Sequence, residues 1–169
     1  MATSGCATTP PGAMTSFLAE VFCGRAALAQ ACGSVGLAAC GIGFHKVPLC
    51  AGRALSLDLS LEWAQSLVLE LLSCKLSSAI AWITPPSGTL SKARDRPIKA
   101  SWADAGVPAA PPLRSVDFPE GLSIALDDPR LGAQLRSANV LVHFTFALVN
   151  KCASLSRPWF VVNPVNSYL

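Results

Sequence analysis

Five short apolar runs, none long enough for a helix of ordinary length, limit this chain to a sheet-based fold. They are residues 15–22 (TSFLAEVF), 37–44 (LAACGIGF), 55–59 (LSLDL), 78–84 (SAIAWIT) and 158–162 (PWFVV). Apolar runs of about 4–8 residues are the mark of buried strands. Helical stretches follow three of them. Residues 25–32 (RAALAQAC) are alanine-rich, and alanine forfeits no side-chain entropy in a helix. Residues 61–72 set Leu61, Ala64, Leu67, Val68, Leu71 and Leu72 on one stripe. Residues 130–148, opening just after Pro129, carry Leu131, Leu135, Ala138, Leu141 and Val142 on a wider apolar face. Pro85-Pro86 end the fourth run, because proline removes a backbone donor and forces the residue before it into an extended conformation.

Strand and helix in alternation predict an α/β domain with a mostly parallel sheet and right-handed helical crossovers. Sheets of this kind bind ligands outside the carboxyl ends of their strands. The segments to watch are therefore Cys23-Gly24, Phe44-His45, Asp58, Pro85 to Ser91 and Asn163 to Ser167. Residues 1–14, small and proline-containing, read as a disordered leader, and residues 15–169 as one domain. Residues 90–129 hold Pro97, Pro108, Pro111, Pro112, Pro119 and Pro129 and show no sustained period. Such a stretch far exceeds the roughly 12–15 residues of an ordinary loop, so it is either a functional loop or a partly disordered one, with room for short helical turns.

Composition narrows the functional classes. With 51% hydrophobic and 14% charged residues the chain is apolar enough to raise a membrane reading. Residues 67–83, however, are broken by Glu70 and Lys75, and residues 139–149 are about half of the roughly 20 that a crossing needs. No basic segment followed by an apolar stretch opens the chain, so secretion is not expected. Seven cysteines are present, but no pair has the two-to-four-residue spacing of zinc sites. They read as mostly buried thiols in a reducing, intracellular setting, nuclear or cytoplasmic, with no metal. A net charge of +3 permits nucleic-acid binding without diagnosing it.

Three turns together carry a resemblance. Glu20-Val21-Phe22-Cys23-Gly24 closes the first strand, and a glycine there lets backbone approach a cofactor. Ile83-Thr84-Pro85-Pro86-Ser87-Gly88-Thr89-Leu90-Ser91 follows the fourth, and Val161-Val162-Asn163-Pro164 the fifth. In this order they resemble the motifs of C5-cytosine DNA methyltransferases, within the S-adenosylmethionine-dependent methyltransferases. The closest likeness is to a divergent set reading Pro-Pro-Cys-Gly-Thr-Phe-Ser at the second turn. The resemblance runs from Ser16 to Leu169 and takes in Leu113-Arg114-Ser115 and residues 118–122. It implies a Rossmann-like methyltransferase fold with its C-terminal strands missing. It implies S-adenosylmethionine as cofactor, contacted by Glu20, Phe22, Gly24 and Pro85, and DNA or RNA as partner.

The departures bear on chemistry. In the family a cysteine thiolate adds to C6 of cytosine while a glutamate assists at N3. Here Ser87 stands for the cysteine and Val162 for the glutamate, with Asn163 kept beside it. Serine needs a neighbouring base to become a nucleophile, and valine exchanges no proton. Ala26 replaces a frequent second glycine, and Ile42-Gly43-Phe44 stands where an acid usually holds the ribose. His45 is either a substitute for that acid or a partly exposed loop imidazole. Asp58 is either the acid that meets the adenine edge or a simple helix N-terminal acid before Ser60. Lys92, Arg94, Arg96 and Lys99 are either phosphate contacts or a solvated loop, and Trp102 either stacks on a base or anchors that loop. His143, on the apolar helix, reads as structural. Two functions follow: a catalytically impaired methyltransferase-like domain, or a non-catalytic nucleic-acid or cofactor-binding module. A non-functional gene fragment is the third alternative.

Overall fold

A computed structural model of the chain describes residues 15–44, 54–74, 77–91, 97–106, 108–109, 111–163 and 167. The elements run β1 (Thr15–Val21), α1 (Ala27–Ser34), β2 (Ala38–Gly43), β3 (Ala54–Ser56), α2 (Glu62–Ser73), β4 (Ser77–Ile83), α3 (Ala100–Asp104), α4 (Ser123–Asp127), α5 (Pro129–Ser154) and β5 (Trp159–Val161). The strands form one all-parallel sheet in the order β3-β2-β1-β4-β5. The expected α/β class with helical crossovers is thus observed. From β1 the chain winds outward through β2 and β3, then returns to place β4 and β5 on the other side. The order reverses between β1 and β4, and at such a point the connections diverge and leave a crevice.

Strand alternation sorts the side chains. Ala19, Val21, Ile42, Ala79, Ala81 and Ile83 face α2 and α5, where they meet Val68, Leu72, Phe144, Leu148 and Cys152 in the main core. Each large side chain buried there contributes about 1.5–3 kcal/mol. The opposite face receives α1 through small residues: Cys23, Ala26 and Ala29 lie against Ala39 and Ala54. A third cluster, Leu113, Ala125 and Leu135, ties the proline-rich segment to α5.

Local chemistry sets the element ends. Asp128 accepts the Arg130 and Leu131 N–H groups at 2.9 and 2.7 Å and Pro129 opens α5, a favourable N-terminus. The helix runs on to Ser154, beyond the expected residue 148, because Leu148 and Cys152 continue its buried stripe. Phe22, expected to end β1, adopts φ 62° and belongs to the turn. The strand expected at 55–59 stops at Ser56, since Asp58 folds back onto Ser60. The irregular 90–129 region contains α3 and α4. Among the described residues no helix is long and apolar enough to cross a membrane.

Candidate functional site

A cleft of about 260 Å³ opens over the carboxyl ends of β1, β2 and β3, lined by Phe22, Gly24, Gly43, Phe44, Asp58, Leu59, Ser60, Pro86 and Leu141. The β1–α1 turn forms one wall in an unusual conformation: Phe22, Gly24 and Ala26 have φ of 62°, 51° and 53°. For phenylalanine and alanine the left-handed region costs about 1–2 kcal/mol each, and strain of this kind persists where surrounding structure holds it. The holding bonds are visible. Cys23 N–H donates to Ile42 O at 3.2 Å, Thr84 N–H to Val21 O at 3.1 Å, and the Thr84 hydroxyl to Val21 O and Phe22 O at 3.2 Å each. The turn is thereby tied to both β2 and β4. Gly24 is exposed, and a Cβ there would meet nothing, so its backbone is open to a ligand.

Asp58 supplies the cleft's only charge among the described residues. Its Oδ1 accepts the Ser60 hydroxyl at 2.6 Å and the Ser60 N–H at 3.0 Å. These bonds, the hydroxyl's first, hold the carboxyl below the usual aspartate range. Oδ2 has no partner among the described residues and can accept from a ligand. Among the described residues no lysine or arginine lines the cleft. No family model matches the chain, and no curated protein or solved structure is detectably similar to it.

A second groove, of about 610 Å³, adjoins the first and shares Pro86 and Leu141 with it; Gly88, Thr89, Ala133, Gln134, Ser137 and Ala138 complete its walls. The turn between the clefts is anchored from below. Arg114, 3% exposed, donates from Nε to Thr89 O at 3.1 Å, from a terminal nitrogen to Thr89 Oγ1 at 3.1 Å, and from the other to Pro119 O. Burial pushes its pKa down, opposed by the nearby Glu120 carboxylate.

Of the residues expected from sequence, Phe22, Gly24 and Asp58 meet in the first cleft. Pro85 is buried and does not line it, whereas Pro86 does. Glu20 points to the opposite face of the sheet, where its carboxylate accepts the Ala29 N–H at 2.7 Å. It serves α1 as a cap from a distance, because Ala26 at the helix start has no side-chain acceptor. Neither Ser87 nor Asn163 lines either cleft. Ser87 O receives the Leu90 and Ser91 N–H groups, making Ser87 the start of a turn. Asn163 Oδ1 is buried with no partner among the described residues. His45, Lys92, Arg94 and Arg96, like the 1–14 leader, lie outside the described residues.

Other expectations change. His143 is solvent-exposed and sits 3.6 Å from Glu120, because α5 is covered on one side only near that residue. Trp102 is exposed rather than anchoring the loop, with Lys99 Nζ 5.9 Å from its ring centre. The described cysteines are less uniformly buried than expected: Cys23 and Cys152 are buried, Cys32 and Cys40 half-buried, and Cys74 exposed, while Cys6 and Cys50 lie outside the described residues. Leu141, on α5, is the lining residue with no local sign in the sequence, since it reads as one more apolar stripe position.

Cys23, beside the cleft, is no nucleophile. Burial first, then the neighbouring Glu20 carboxylate, raise its pKa to about 12, so the thiol stays protonated through neutral pH. In the native protein at pH 8, iodoacetamide is expected to label Cys74 and leave Cys23 unmodified. Peptide mass spectrometry checks this, and rapid carbamidomethylation of Cys23 without unfolding would contradict it.

Proposed function

We propose that this chain is a Rossmann-like, S-adenosylmethionine-binding domain related to C5-cytosine DNA methyltransferases, with methyl transfer impaired. The observation that carries the reading is the convergence of four strand-end segments on one cleft at the point of strand reversal: Phe22 to Gly24, Gly43-Phe44, Asp58 and Pro86. Their order in the chain is that of the family motifs.

The residues fit the cofactor in three respects. Asp58 would take the exocyclic amine of adenine on Oδ2. Phe22, Phe44 and Leu59 offer apolar walls for the ring, and the strained turn brings the Gly24 backbone within reach. Ile42-Gly43-Phe44 stands where the family acid would hold the ribose, and His45, the candidate substitute for that acid, lies outside the described residues. S-adenosylmethionine, when bound, supplies an electrophilic methyl group. The chain's own residues bind and orient it and keep water from the adenine side.

Impairment is favoured by the second turn. No histidine or carboxylate hydrogen-bonds the Ser87 hydroxyl among the described residues, and Val162, 44% exposed, has no proton to exchange. The basic residues Lys92, Arg94 and Arg96 follow directly in sequence and would hold a DNA or RNA backbone by salt-sensitive contacts.

Titration with S-adenosylhomocysteine in a calorimeter tests the reading. Binding is expected, with Asp58→Ala weakening it by about tenfold, the worth of one hydrogen bond to a charged group. A folded sample that releases no heat at millimolar ligand would remove the cofactor reading, whether catalytic or not.

A further inference from the structure

Arg114 is an expensive residue where it stands. A guanidinium that is 3% exposed has left water, and its three hydrogen-bonding acceptors are all neutral: two carbonyls and a hydroxyl. The nearby carboxylate of Glu120 lies against His143 on the surface. Buried charge without a bonded counter-ion costs more than an apolar side chain of similar size, so packing alone does not account for an arginine here. What it does is geometric. Two of its bonds grip Thr89, the last residue of a segment whose first residue, Thr84, is bonded to the carbonyls of Val21 and Phe22. Pro86 lies between these two anchors and forms the partition shared by the two clefts. Arg114 itself lines neither.

We infer that Arg114 is a positioning residue of the cofactor cleft: by fixing Thr89 it sets where Pro86 stands, and so governs ligand binding in a site it does not touch. This rests on the cofactor reading above. The third acceptor, Pro119 O, makes the proline-rich segment part of the same support, which gives residues 111–122 a role beyond connection.

The test is calorimetric titration of S-adenosylhomocysteine into wild type and four variants, each well below its melting midpoint. Arg114→Met and Thr89→Val are each expected to weaken binding by about three- to tenfold, within the range of coupling through a packed network. Thr89→Ser keeps the accepting hydroxyl and is expected to bind as wild type. Cys152→Ala lowers stability in the last turns of α5 and is also expected to bind as wild type, which a general loosening of the fold would not allow. If Arg114→Met does not fold, the valine and serine pair decides. Wild-type affinity in Thr89→Val, or equal losses in Thr89→Val and Thr89→Ser, would overturn the inference while leaving the cofactor reading intact. No binding by the wild-type protein would overturn both.

Discussion

Phe144→Ala is expected to destabilise the protein by about 3–5 kcal/mol, the range for removing a large aromatic from a core. A chain of this size should then melt roughly 8–15 °C lower. Phe144 is 2% exposed and lies in the main cluster between α5 and the sheet. Its ring meets that of Phe22 edge-on, with centroids 6.1 Å apart and planes at 79°, a favoured aromatic geometry. Phe22 is also the cleft residue held at φ 62°. Losing Phe144 therefore removes buried area and the support of a strained turn together. Circular dichroism melts measure the first effect and S-adenosylhomocysteine affinity the second. A loss below about 1 kcal/mol would mean that this ring is not the core element described here.

Gly41→Ala is the second large effect, at about 2–3 kcal/mol and roughly 5–10 °C. Gly41 is paired on both sides, to Glu20 of β1 and Ala54 of β3, so β2 cannot retreat. A Cβ at this position would collide with the Ala26 Cβ and stand 2.9 Å from the Cys23 sulfur. The sequence had marked Ala26 as the residue in place of a second glycine; the structure shows its methyl filling the space that glycine at 41 leaves. Ala26→Gly alone should be nearly neutral, because losing a buried methyl, about 0.8 kcal/mol, offsets relief of the left-handed backbone. Combined with Gly41→Ala it should recover more than half the lost stability, a coupling expected of residues in contact. Thermal melts of the four proteins decide this, and strict additivity would show that the two positions do not compete for one space.

Most of the scaffold was legible because its signals are local. Apolar runs of strand length, the Asp128-Pro129 helix start and the paired prolines each depend on residues adjacent in sequence. The cleft was half legible for the same reason. Phe22, Gly24 and Asp58 lie at strand ends, and strand ends are where a parallel sheet of this kind binds ligands. Where the Glu20 carboxylate goes was not legible, because its direction depends on strand parity. As an even residue of β1 it faces α1, and a helix start without its own acceptor captured it. His143 sits at a stripe position left exposed among the described residues, and no periodicity reveals where a 26-residue helix loses its neighbours. Arg114 was marked only as part of Leu113-Arg114-Ser115 in the resemblance, with no sign of its bracing role, since an arginine in a proline-rich stretch reads as solvated until its burial is known.

By itself the sequence determined the alternation of strands and helices, and hence the α/β class and the parallel sheet. Hydrophobic period and turn chemistry act over a few residues and leave little choice. Only the tertiary structure decided that the turns after β1, β2, β3 and β4 share one cleft while Ser87 and Asn163 stay outside it. It also decided that Glu20 belongs to a helix end and that Arg114 braces the wall. Those outcomes depend on the order of strands, the face each side chain takes and the cost of burying charge, all of which arise between segments distant in the chain.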